Sequence, residues 1–302
     1  MLWGIAWTFA SGSDIAWVTD ELDAPTRFDR VLIGAARAKS LGAAFGIITF
    51  GLLARSTSRS AAIIATGVGI VVLGLFVTRI PEAGFERSSP TRKGSLTIFR
   101  KGISLARTDR ILLFAFFATM LSVGGAGEGF NRMYTKQLTD VGFPDDQTTM
   151  QWFALLNLAT LAGGALALHA VERTIMVPDT ARRAFQWSCA LAASGVLLLA
   201  MARNPLVAGA GAVLTGIALL VARAVSGVWV NRRVASDIRA TVHSLLQQAE
   251  YLGEAVLTLG LGVLAGWSSI KVGLVGSALL FVMTAFVLRA SVAGETSQRK
   301  LT

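Results

Sequence analysis

The sequence predicts an all-α fold, a polytopic membrane helix bundle of about nine transmembrane helices. Three observations carry this. Charged residues make up only 15% of the 302, against 53% hydrophobic, where a soluble domain carries roughly 25% charge. The apolar residues fall in stretches of about 20, the length a helix needs to cross roughly 30 Å of hydrocarbon and too long for barrel strands. The basic residues gather in alternate connecting segments.

The spans fall at about 1–19, 31–54, 61–78, 111–135, 150–170, 184–202, 205–230, 241–266 and 270–288. The first, MLWGIAWTFASGSDIAWV, has no basic leader and no small-residue cleavage site, so it reads as a helix rather than a signal peptide. In the second, Gly34, Ala38, Gly42 and Gly46 fall every fourth position, a ridge that lets a neighbouring helix approach closely. Gly262 and Gly266 repeat that spacing in the eighth. Trp17, Trp152, Trp187, Trp229 and Trp267 fall near span ends, where indole prefers the interface; Trp3 and Trp7 do not. The segment 80–110 begins as a polar, Pro-containing linker. Leu96, Phe99, Ile103 and Ala106 then recur at helical spacing beside Arg100, Lys101 and Arg107. That pattern fits a short amphipathic helix on the inner leaflet, or else a disordered basic loop.

Sorting the connecting segments by alternation puts 19 Lys and Arg on one side and five on the other. The positive-inside rule makes the richer side cytoplasmic. The C-terminus then lies inside and, after nine crossings, the N-terminus outside. The net charge of +10 belongs to these loops and gives no reason to invoke nucleic acid. Cys189 is the only cysteine, and the two histidines, His169 and His243, are far apart. There is no HExxH, Walker A or GxGxxG pattern, and no nucleophile–base set. The expectation is therefore no enzyme, no metal and no cofactor.

Three stretches go beyond generic hydrophobicity: GIAWTFASGSDIAWVTDEL, GGAGEGFNRMYTKQL and VNRRVASDIRATVHSLLQQAEYLGEA. Together with the basic central segment they resemble the major facilitator superfamily of transporters. The third is similar to that family's stretch between its tenth and eleventh helices, and the second to the seventh helix of an efflux-like branch. The resemblance implies twelve helices in two halves of six, whereas here three spans precede the central segment and six follow it. The implied organisation is an incomplete N-terminal bundle at 1–79, a cytoplasmic linker at 80–110, a C-terminal six-helix bundle at 111–289 and a cytoplasmic tail at 290–302. The chain is then expected to lack about the first three family helices. The implied function is secondary transport of a small organic solute in the plasma (inner) membrane, by a transporter or a truncated form of one, with efflux favoured and proton coupling as one option. The alternative is a transport-incompetent scaffold or regulatory partner. The expected partners are the lipid bilayer, a small-molecule substrate, a proton, and a partner subunit or the missing helices.

Charges within spans are costly, roughly 2.5–3.5 kcal/mol at a helix centre, and so are site candidates. Glu128 and Arg132, four apart, share a helix face and are expected to pair, either structurally or to orient substrate. Glu250 and Glu254 are also four apart, and Glu254, near mid-span, is the favoured proton-linked carboxylate. The alternative is that one of them pairs with Arg223 while the other sits in a wet cleft. Arg223 either snorkels to the cytoplasmic interface or meets an anionic substrate. Asp14 would face the central cavity of a complete transporter. Asn131, Asn157 and Gln247 are candidate cavity-lining polar groups or interhelical bonders. Reporter fusions at residues 90 and 142 are expected to read cytoplasm and exterior respectively; the reverse would invert the topology.

Overall fold

The structure, a computed structural model, describes residues 25–80, 100, 104, 108–143, 149–175, 180–234 and 238–299. The expected span 1–19 and Asp14 lie outside these residues, as does most of the segment 80–110. Within them the chain is helical throughout and carries no strand. Eight helices are long and apolar enough to cross a membrane. They are α1 (Pro25–Ser56), α2 (Arg59–Val77), α3 (Arg110–Asp140), α4 (Thr149–Thr174), α5 (Thr180–Met201), α6 (Pro205–Asn231), α7 (Arg239–Trp267) and α8 (Ile270–Arg299). All eight remaining expected spans are present. Most run a few residues past the apolar pattern, two of them by the most: α1 starts at Pro25 rather than 31, and α8 continues to Arg299 rather than stopping at 288. Hydropathy marks where apolar side chains stop, whereas backbone hydrogen bonding continues into the polar flank.

Local chemistry sets several starts. Asp109 caps α3, its Oδ1 accepting from the amides of Ile111 and Leu112 at 2.8 and 3.2 Å. Asn204 caps α6 through Val207 N at 2.9 Å, with Pro205 in the first turn, where its missing N–H costs nothing. Ser58 caps α2.

The solvent of this bundle is lipid. Large apolar side chains such as Phe76, Leu206, Trp267 and Phe286 are exposed, and α2 is apolar and exposed nearly all round. An aqueous protein does not tolerate continuous apolar surface on that scale. The chain is a multi-pass integral membrane protein.

Helices α3–α8 pack as one unit around a shared core. α5 lies against α6 and α8, α4 against α6, and α3 against α7 and α8; α1 leans on α4, and α2 on α1. Fully buried Leu112, Phe185, Leu199, Leu274 and Phe281 are among the core residues. Trp229, expected at an interface, is instead buried against Phe185, ring centroids 6.4 Å apart. Position near a span end does not reveal which face of the helix is covered.

Close helix approach occurs at glycines other than those of the every-fourth ridges. Around Gly34, Gly42, Gly46, Gly262 and Gly266 there is open space. The tight contact is between α3 and α7. A Cβ on Gly124 would lie 2.1 Å from Glu250 O, and one on Gly253 would lie 2.1 Å from Met120 O. Both contacts are to backbone, which has no rotamer to yield. Gly253→Ala is therefore expected to lower thermal stability in detergent, by about 1–3 kcal/mol or more from overpacking, whereas Gly262→Ala leaves the melting temperature unchanged. Equal effects would remove the contact from the fold's requirements.

Candidate functional site

Both helices at the glycine contact depart from α geometry there. α3 is π-helical over Met120–Gly127, and α7 over Glu254–Thr258. A π segment inserts an extra residue into the turn and frees carbonyls from the regular ladder. Thr258 Oγ1 donates toward the carbonyls of Gly124 and Gly125, at 3.4 and 3.2 Å. The π segment of α3 ends at Gly127, so Glu128 begins the α-helical part beyond it. On α7, Glu250 stands one turn before Glu254, where the π segment starts. The backbone contact thus places three carboxylates from two helices side by side.

Two arginines answer them. Arg223 of α6 donates to Glu250 at 2.6 Å and lies 3.6 Å from Glu128. Arg132 of α3 donates to Glu254 at 3.0 Å. The expected Glu128–Arg132 pair does not form, because each residue takes its partner from another helix. Of the two alternatives for the α7 carboxylates, Glu250 does pair with Arg223, and Glu254 is paired too. Arg223 lies about 12 Å before Asn231 at 1.5 Å per residue, but its guanidinium turns into this cluster. Glu128 and Glu250 are the shielded members, their side chains 22% and 21% exposed.

A cavity of about 190 Å³ opens beside the cluster, lined by α3, α4 and α6. Its polar lining is Glu128, Asn131, Asn157, Thr160 and Arg223. Asn131 Nδ2 donates to Glu128 at 3.3 Å, and Asn157 Nδ2 donates to Phe153 O at 2.9 Å. Gln247 does not line this cavity; its buried Oε1 has no hydrogen bond. Thr160 and Gly216 were missed in the sequence. Their signal is steric: a Cβ on Gly216 would lie 2.5 Å from Thr160 Cγ2, so α4 and α6 close the cavity wall at these small residues. Among the described residues, no group of three His, Cys, Asp or Glu is placed to hold a metal ion.

A second polar cluster gathers toward the end of the bundle where α4 and α6 finish and α5 and α7 begin. Arg37 of α1 pairs with Glu172 of α4 at 2.8 Å and lies 2.8 Å from His169 Nδ1. Arg232 of α6 donates to Asp29 of α1 at 2.8 Å and to the carbonyl of Ile175. Arg239 of α7 stacks over Phe28 of α1, 5.3 Å from the ring centroid. Arg182 donates to Leu288 O at 3.1 Å. These arginines come from the basic flanks that defined the sidedness, or lie close to them, and here they join α1 to α4, α6 and α7.

These features define a class: a multi-pass helical membrane protein with an open, ion-paired polar cavity between α3, α4 and α6. No family model and no curated protein sequence matches the chain. The crystal structure of the human organic anion transporter MFSD10 (TETRAN) is similar to it, with a TM-score of 0.65 at 19% identity. The match covers 92% of this chain and 67% of that one. The chain shares the fold of that structure.

The ion-pair geometry makes a direct prediction. Double-mutant cycles, read as thermal stability in detergent, should show coupling for Arg223→Gln with Glu250→Gln and for Arg132→Gln with Glu254→Gln. The expected size is about 1 kcal/mol for Arg223 with Glu250 and less for Arg132 with Glu254, whose side chains are 68% and 35% exposed. Glu128→Gln with Arg132→Gln should be additive within about 0.5 kcal/mol. Coupling of that last pair and none in the first two would contradict the interhelical pairing.

Proposed function

We propose that this chain works as a secondary transporter of a small organic solute, coupled to a proton gradient. The observation that carries the reading is a polar cavity walled by three helices and flanked by ionised side chains, set inside helices that otherwise expose apolar surface. Charged groups at membrane depth are costly and persist where they serve a substrate or ion path. Solute sites between the helices of such bundles, formed where helices depart from regular geometry, suit access from alternate sides. The two π segments meeting beside the cavity fit that pattern. Glu254 remains the proposed proton-linked carboxylate: it sits at the start of the π segment of α7, and its partner Arg132 belongs to the other helix of the contact. The arginine-rich end is proposed as the cytoplasmic end in the plasma (inner) membrane, and outward movement of solute as the favoured direction.

Proteoliposomes containing the chain, loaded with a pH-sensitive dye and exposed to a panel of small organic solutes, test this. Solute-dependent proton movement is expected with the native chain and is expected to be lost with Glu254→Gln. Proton movement undiminished in Glu254→Gln would remove that residue from coupling, and none with any solute would count against proton-coupled transport. The superposed structure is of an organic anion transporter; the likeness is one of fold, and leaves the solute's charge to be read from this chain's own cavity.

A further inference from the structure

We infer that the solute of this cavity is a small protonated amine, recognised by Glu128; the inference rests on the transport reading above for its physiological meaning, but concerns binding alone. Two independent features of the cavity point this way.

The first is charge. Across the cluster three carboxylates, Glu128, Glu250 and Glu254, face two guanidiniums, Arg132 and Arg223. Arg132 is engaged by Glu254 at 3.0 Å, and Arg223 by Glu250 at 2.6 Å. Glu128 is left with a share of the same Arg223 Nη2 that Glu250 holds, at the longer distance of 3.6 Å, and a neutral carboxamide at 3.3 Å. It is also the carboxylate that lines the cavity. Among the described residues, the elements packed around it bring no other cation into the cavity lining. The polar groups that α4 adds to the cavity are Asn157 and Thr160, while α5 and α8 carry their charges at or near their ends, as in Arg182, Arg183 and Lys271. A shielded carboxylate without a full counter-charge is stabilised by a ligand that supplies one.

The second is hydrogen-bonding sense. Both carboxamides in the lining spend an N–H on the protein, Asn131 on Glu128 and Asn157 on the Phe153 carbonyl. Neither Oδ1 takes a hydrogen bond among the described residues, so both remain acceptors. With the Glu128 carboxylate and the Thr160 hydroxyl, the cavity offers an acceptor-rich wall. An ammonium group carrying N–H donors complements it; a carboxylate or sulfonate would set a second negative charge against Glu128. Arg223 is the cation of the lining, and its charge is already shared between two glutamates. The volume of about 190 Å³ suits an amine of modest size rather than a drug-sized molecule.

Calorimetric titration of the chain in lipid nanodiscs tests this with benzylammonium, benzyltrimethylammonium, benzyl alcohol and benzoate. Benzylammonium should bind saturably, and benzyl alcohol and benzoate at least about tenfold more weakly. Benzyltrimethylammonium, with charge but no donors, should fall between. Glu128→Gln should weaken benzylammonium at least tenfold, and Asn131→Asp, which adds a carboxylate to the same wall, should strengthen it. If Glu128→Gln does not fold, Asn131→Asp decides. Benzoate binding as tightly as the amine, no saturable amine binding, or an amine affinity unmoved by the folded variants overturns the inference. Exchange across proteoliposome membranes separates it from the transport reading. Amine binding without exchange keeps the site and removes transport; exchange of benzoate but not of the amine keeps transport and removes the amine.

Discussion

The backbone contact between α3 and α7 is the constraint on which the site depends. Gly124 and Gly253 let two helices touch main chain to main chain, with no room for even a methyl group on either. That proximity brings Glu128 into the same group as Glu250 and Glu254. Were the helices a normal 8–10 Å apart, side chains would separate these carboxylates and Arg223 would not reach two of them together. The π geometry of both helices is part of the same arrangement. It shifts the phase of each helix at the crossing, and Thr258 supplies a hydroxyl to carbonyls of the distorted turn.

Electrostatics explains why the cluster is mixed rather than purely acidic. Three carboxylates grouped within a bundle in lipid would repel one another and lose their hydration, each a cost of several kcal/mol if left unanswered. Two arginines from different helices offset most of that cost and tie α3, α6 and α7 together. The offset is incomplete at Glu128, the carboxylate that lines the cavity. Sites that must release what they bind are poor places for complete neutralisation, because a fully compensated cluster has nothing to gain from a ligand.

At the arginine-rich end the same residue type has a different task. Arg37, Arg232 and Arg239 connect α1 to α4, α6 and α7 through a carboxylate, a carbonyl and an aromatic face. Guanidinium suits this work because it stays charged and presents donors in a planar fork. The contacts there are polar and few, whereas α5 and α6 interlock through glycines, Gly195 and Gly211 each lying against the other's backbone. The six-helix unit is held by apolar packing, and α1 joins it through buried Phe28 and Ile33 as well as through these ion pairs and hydrogen bonds.

The sequence by itself determined the membrane class, the helical content and the eight described spans, because the cost of unsatisfied backbone in lipid leaves a 20-residue apolar stretch little choice but a helix. It also determined which residues were worth watching, since a charge within such a stretch stands out: Glu128, Arg132, Arg223, Glu250 and Glu254 all meet in the structure. The partners were decided only by tertiary structure. Spacing of four along one helix suggested Glu128 with Arg132, yet both bond across helices, because crossing geometry and not sequence distance sets which side chains converge. The glycines show the same division. Regular every-fourth ridges in α1 and α7 face open space, while Gly124 and Gly253, outside those ridges, carry the closest approach. A glycine's value lies in what stands opposite it, and the chain alone does not record that.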